Sequence, residues 1–431
     1  MLAMLREPWS NLLHLMKNRT LINILLAGLL LACCGPNVRA TENWEWSGFA
    51  SLGGGQINRD QLKFIDYDDD WSFNSDSVAG LHTQGDITEH WSLTAQVIAQ
   101  GHHWDDTGDF HPELDWLFLS HALSPGLRLR LGRMRSPHYL FSETLDVGYS
   151  YPWVRPPVEV YTFFMSPFSN FDGMDLTWNT ELGDADLDIQ ALAGTMGGEF
   201  LGLDIEVEPV AGANVTLRQG EWLLRYGILL HRTDLTNAGS QAAADAFNQL
   251  AAIDPQFEEV ANSFEADNEW YQYHALGGQW DHGNWTLLGE AFEVIGPDEG
   301  FSTNASGWYL SWQYHFARLA PYITTGHYKN TLNEDQIQLL EDSFITYPPG
   351  SLGPAVDALR YGTIDAFRNF YSEQYSWTLG VRYELLANTS LKCEVQYFDF
   401  IGGSTGHMIP EPGAPRPDDA LLTSFIVDVV F

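Results

Sequence analysis

The side chains here that could do chemistry fall into two groups. His102, His103 and His111 lie close together. Such a trio could transfer protons beside a serine nucleophile or ligate a metal. The sequence frames for that work are incomplete: the one G-x-S-x-G, GGSTG at 402–406, is not followed by the helix that a nucleophile elbow requires, and no H-E-x-x-H occurs. Spacing alone fixes no coordination geometry, so the trio reads as loop surface, and no catalytic residue, metal or cofactor is expected. The second group is fixed charge. Arg128 and Arg130 alternate in LRLRLG, Arg225 sits in WLLRYGILLH, Arg382 in YSWTLGVRYEL, and Lys392 with Glu394 in LKCEVQ. Each lies on one face of a short segment whose opposite face is nearly all hydrocarbon. Charge so placed can steer ions in water, whereas at a lipid-facing position it is costly.

The elements that carry these charges have a period of two. In WSLTAQVIAQ, Trp91, Leu93, Ala95, Val97 and Ala99 share one side, with Ser92, Thr94, Gln96 and Gln100 on the other. SWQYHF and YSWTLGVRYEL repeat the pattern, which predicts strands. Sixteen such segments can be read: 44–55, 77–87, 91–101, 113–123, 127–134, 171–181, 185–195, 209–218, 221–231, 271–281, 285–295, 305–316, 319–328, 375–386, 389–400 and 421–431. Their connections alternate between short and long, as in an up-and-down sheet with one tightly turned end and one elaborated end. Trp91, Trp222 and Trp285 each open a strand after a short turn, the place of an aromatic girdle at a membrane–water boundary. The polarity is inverted relative to a soluble sandwich, so the charged face is expected to be the wet interior. The expectation is an all-β, 16-stranded antiparallel transmembrane barrel.

Composition bounds the rest. The 431 residues carry a formal charge of −36 with 13% aromatics, so the acidity does not signal disorder. Nucleic acid is an unsuitable partner, since phosphate contacts need clustered Lys and Arg. Residues 1–40 read as a cleaved signal peptide: Lys17 and Arg19, the apolar run LINILLAGLLLACC, then Val38-Arg39-Ala40. Met16 is an alternative start, and lipidation at Cys33 an alternative fate. Residues 41–431 then form the barrel, with Cys393 as the one cysteine left and no internal disulfide. Helical composition appears near 241–253 and 334–344, within the long connections 233–270 and 330–374; Asn333 and Gln336 make a capping box. The acid runs DYDDD, DIEVE, Glu258-Glu259 and Asp418-Asp419 read as solvated loops. Divalent cations bridging them to anionic lipid is the alternative. DYDDDW lacks the glycine and terminal Glu of an EF-hand loop.

Leader, sixteen alternating segments, seven short turns, eight longer connections and terminal Phe431 together resemble the Gram-negative outer-membrane porins. LDVGYSYPWVRPP also looks like a stretch of gammaproteobacterial porin-like proteins. The resemblance implies several things. Phe431 is read by the barrel-assembly machinery. The third long connection, 135–170, folds inward as a constriction. Three such chains make a homotrimer in the outer membrane, in contact with lipid and lipopolysaccharide. Glu143, Asp146 and Glu159 on the inward segment are then expected to face Arg128, Arg130, Arg225, Arg382 and Lys392 on the wall, with Arg133, Arg135 and Arg155 at its root or within it. The opposed charges would orient small hydrophilic solutes diffusing through. The chain departs from the classical porins in its long ninth and thirteenth connections and in lacking their short cluster of constriction acids. The alternatives are a barrel-anchored receptor or adhesin, and an outer-membrane hydrolase.

Overall fold

The computed structural model describes residues 44–101, 110–161, 169–200, 203–234, 238–263, 269–296, 304–331, 334–411 and 414–431. The expected leader, with Met16 and Cys33, lies outside the described residues, as do His102, His103 and Asn333. The first half of the sheet comprises β1 (Trp44–Ile57), β2 (Val78–Asp86), β3 (Trp91–Gln100), β4 (Pro112–Ser124), β5 (Leu127–Arg135), β6 (Asn170–Leu182), β7 (Ala185–Phe200) and β8 (Leu203–Gln219). The second half comprises β9 (Trp222–Asp234), β10 (Glu269–His282), β11 (Trp285–Ile295), β12 (Ala305–Tyr314), β13 (Leu319–Asn330), β14 (Glu373–Leu386), β15 (Thr389–Phe400) and β16 (Asp419–Val430). Each strand pairs antiparallel with its sequence neighbours, and β1 pairs with both β2 and β16, so the sheet closes as a 16-stranded barrel.

Period two decides the faces. Along β15, Leu391, Val395 and Tyr397 are exposed, whereas Lys392, Glu394 and Gln396 between them are buried. On β14, Leu379 is 67% exposed and Trp377 lies beside it on the same exposed face. A chain that exposes its hydrocarbon and buries its charge is inverted relative to a protein folded in water, and the inversion suits lipid outside. Closure leaves no unpaired strand edge in that hydrocarbon. No helix among the described residues is long and apolar enough to cross a membrane.

One end of the barrel is tightly turned. Gly220 and Gly283 adopt positive φ in two-residue turns, the left-handed backbone that such hairpins require. Trp222 and Trp285 are exposed just beyond these turns, stacked on Trp280 and set against Trp312; Trp91 stacks on His121. The other end is elaborated. There β7 and β8 run on as a long hairpin, so DIEVE belongs to strand β8 and not to a loop. Among the described residues, two of the connections carry α-helices: α1 (Ala238–Ala251) and α2 (Glu258–Asn262) between β9 and β10, α3 (Glu334–Ser343) and α4 (Pro354–Phe370) between β13 and β14. Phe247, Leu250, Phe257, Val260, Leu340, Phe344, Ile364 and Phe367 form a separate apolar core among them. Lys63 and Leu62 pair with Ile409 and Pro410, joining the first and last long connections.

Candidate functional site

The barrel interior is not left to water alone. Residues 136–161, between β5 and β6, lie against inward-facing side chains of much of the wall. The sequence makes this possible in two ways. Tyr139, Tyr151, Trp153 and Val160 supply apolar surface that packs on Met134, Phe171, Tyr273, Tyr309 and Tyr322. The wall makes room with glycine: a Cβ on Gly307 would stand 1.9 Å from the Glu159 carbonyl oxygen.

Polar ties then fix the segment. Arg225 on β9 donates to the Pro137 carbonyl at 3.0 Å. Leu140 N–H donates to Glu290 on β11 at 2.6 Å, and Tyr309 donates to the same carboxylate at 2.7 Å. Trp153 Nε1–H donates to Ser311 and Thr324, on β12 and β13, at 3.2 and 2.9 Å. Arg382 on β14 donates to the Tyr149 and Tyr151 carbonyls at 2.7 and 2.8 Å. Lys392 on β15, 0% exposed, donates to the Trp153 carbonyl at 2.8 Å and pairs with Asp428 on β16 at 2.9 Å. Val154 N–H donates to Glu394 at 3.1 Å.

Arg155 is the most connected of these groups. Its guanidinium donates to Asp76 at 3.1 Å, to Glu394 at 3.3 Å and to Ser424 at 2.8 Å, and lies over the rings of Phe64 and Tyr67. It thus joins the inner segment, the first long connection and two barrel strands. Glu159 receives a hydrogen bond from Gln374 at 2.9 Å. Burial raises the pKa of its carboxyl, partly opposed by hydrogen bonds from Ser376 and Gln374.

These contacts redistribute the expected site residues. Glu143, whose side chain is 67% exposed, reaches Arg130 on the wall at 3.5 Å. Arg130 is itself anchored by Asp175 on β6, at 2.9 and 3.1 Å from Nε. Arg128 shares the inward face, is exposed, and has no side-chain partner among the described residues. Asp146 pairs with Arg135, which also binds Asp115 at 3.0 Å, so both are tied down at the segment's root. Glu159 faces Gln374 and Ser376 and not a basic group. Arg155, Lys392, Arg225 and Arg382 hold the segment to the wall, not a row of charges across water. Arg133 falls on the outer face, paired with Asp172 at 3.1 Å. Glu290, Gln374 and Asp428 were not singled out in the sequence; alternation along β11, β14 and β16 is the signal that could have found them, with Gln374 just outside the 375–386 segment, whereas Asp76, in a connection, carried no such signal.

Below the segment, towards the short turns, lies a cavity of about 390 Å³. Phe141, Tyr149, Tyr151 and Pro152 cover it, and Gln279, Asp281, Thr286, Gln313, His315, Arg318, Arg382 and Glu384 line its wall. His111, the described member of the histidine trio, stands apart, just before β4 at the elaborated end. Among the described residues no three metal-ligating side chains converge.

A closed 16-stranded barrel with an oily exterior and an inner segment is the fold of outer-membrane porins, and solved structures of that class match it along nearly their whole length. The anion-selective porin of Comamonas acidovorans matches at a TM-score of 0.53 and 12% identity, covering 90% of this chain and 99% of that one. In-vitro folded OmpT, an outer membrane protein of Vibrio cholerae, matches at 0.53 and 10%, covering 92% and 100%. Salmonella typhi OmpF, in complex with daunomycin, matches at 0.52 and 11%, covering 90% and 98%. At these identities the likeness is one of fold. No family model matches the chain, and no curated protein matches it.

Proposed function

We propose that the protein is an outer-membrane channel through which small hydrophilic solutes diffuse passively. The observation that carries this reading is the polarity of the wall: hydrocarbon outside, charge and amide inside, with a braced segment narrowing the interior. Barrels of this strand number enclose an aqueous path. Selectivity would come from width and from fixed charge, for which the exposed Arg128 and Glu143 and the mostly buried Arg130 beside them are the candidates. The reading includes export through a cleaved leader, assembly by the barrel-assembly machinery acting on Phe431, a homotrimer, and contact with lipid and lipopolysaccharide. It assigns no catalytic role.

Planar-bilayer recording on the refolded protein tests it. Stepwise conductance in KCl, with a reversal potential in a salt gradient, is the expected result. Folded protein that inserts and passes no current would overturn the channel.

One observation favours a second reading, a surface receptor. The helices of two separate connections share a core of their own, more structure than a passive mouth needs. Removal of residues 238–263 and 334–370 should leave solute flux intact if the helices are accessory, and should abolish partner binding if they are the purpose.

A further inference from the structure

We propose that the cavity beneath the inner segment is a binding subsite for uncharged, polyhydroxylated solutes, saccharides above all; this rests on the channel reading and names its solute class.

Three observations on the cavity lining converge. The first is charge balance. Asp281 and Glu384 bring two negative groups, and Arg318 and Arg382 two positive ones. Most of this charge is already engaged. Arg382 donates to Glu384 at 2.7 Å and to two carbonyls of the inner segment. Asp281 accepts from Gln279 and Thr286, both at 2.6 Å, and Thr286 Oγ1 lies 3.1 Å from His315 Nε2. A solute carrying net charge would find no large surplus of opposite sign.

The second observation is Gln313. It is 8% exposed and lines the cavity, and its side-chain amide, which makes no hydrogen bond to the described residues, stays open to that space. An amide offers two N–H donors and one carbonyl acceptor. A carboxylate can only accept and an ammonium can only donate, so neither satisfies both ends. Hydroxyls donate and accept, and neighbouring hydroxyls on a ring can meet both ends of one amide.

The third observation is the roof. Phe141, Tyr151 and Pro152 present apolar surface to the same space. The C–H face of a pyranose is apolar, and its rim of hydroxyls is polar. A sugar can therefore lie with its face on the roof and its rim towards Gln313 and the Gln279–Asp281–Thr286 chain. The volume falls in the range of small-molecule sites.

The test is ligand-observed saturation-transfer NMR on the detergent-solubilised full chain. Glucose and sucrose are the probes, with gluconate and glucosamine as charged counterparts. Saturable binding of the neutral sugars is expected, with weaker signals from both charged ones. Gln313→Leu should weaken sucrose binding roughly tenfold, the effect of losing a hydrogen-bonding group worth about one decade. Gln313→Glu keeps the shape but loses the donors, and serves if the leucine variant does not fold; it should weaken sucrose and favour glucosamine. The site is overturned if neutral sugars show no saturable binding, if a charged analogue binds more tightly than glucose, or if the Gln313 variants fold and bind sucrose normally. Bilayer conductance of the same preparation keeps the two ideas apart. Current without sugar binding sinks the subsite alone, and sugar binding without current sinks the channel alone.

Discussion

At the scale of single residues, Arg155 and Glu143 separate holding from selecting. Arg155 is buried among Asp76, Glu394 and Ser424. Replacing it by leucine strands two carboxylates in a low-dielectric site, a change that costs about 3–5 kcal/mol when a buried pair is broken. Arg155→Leu should therefore lower the denaturation midpoint and raise single-channel conductance as the inner segment loosens; unchanged values for both would refute the bracing role. Glu143 behaves differently, because its side chain is mostly in water. Glu143→Gln should shift stability by less than about 0.5 kcal/mol, as exposed substitutions do. It should move the reversal potential towards anions, since Arg128 and Arg130 stay. A reversal potential that does not move would remove Glu143 from the selective point. The sequence marked the charged residues but not their division of labour. Alternation says that Lys392 faces inward; it does not say that two loop carbonyls and Asp428 have already taken its ammonium group. His407, in the last long connection, adds a pH effect. Burial pulls its pKa down from 6.5 to about 3, and neither ring nitrogen has a hydrogen-bond partner among the described residues. Below pH 6.5 the unfolded chain takes up a proton that the folded chain refuses until about pH 3, so stability should fall through that window. His407→Gln should flatten the acid limb of a melting-temperature profile, and an unaltered limb would count against it.

Elements were legible to the degree that their pattern is local. All sixteen strands fall on segments read from period two, and the two faces are plainest on strands such as β15. The ends of β7 and β8 did not follow, because three acids in the five residues of DIEVE read as a solvated loop, although Ile205 and Val207 alternate with them. α1 and α3 were visible in composition. α4 was not: Gly362, Thr363 and Ile364 dilute its helical propensity, and its stability comes from burying Ile364 and Phe367 in a core shared with α1, α2 and α3. That core is a tertiary fact, absent from any single window of sequence. It also predicts independence. Phe247→Ala removes a fully buried ring from the helical core, at a cost of about 3–5 kcal/mol by precedent for such truncations. Limited proteolysis should then cut within 238–263 and 334–370, while the barrel keeps its unfolding midpoint. A matching fall in the barrel's midpoint would show that cap and barrel fold as one unit.

For the whole molecule, the decisive step is closure. The barrel exists only if its last strand finds its first, and the pairing runs from Ile57 with Leu422 to Phe49 with Val430. Beyond it, Gly48 N–H donates to the Phe431 carbonyl at 2.7 Å and Phe431 N–H donates to the Gly48 carbonyl at 2.9 Å. The final residue thus contributes two separable things, a backbone pair and an aromatic ring. The ring settles over Gly48, where an added Cβ would lie 2.5 Å from it. These contributions predict different losses. Phe431→Ala keeps both hydrogen bonds and removes only a half-exposed ring, so the refolded barrel should lose at most about 1–2 kcal/mol. If the ring is also read during assembly, the amount of folded protein reaching the outer membrane should drop far more than that small loss accounts for. Refolding in detergent and membrane yield in cells, measured on the same variant, separate the two. Equal small losses in both would leave Phe431 as the end of a seam and nothing more, and a severe loss in detergent would mean that the ring itself holds the barrel shut.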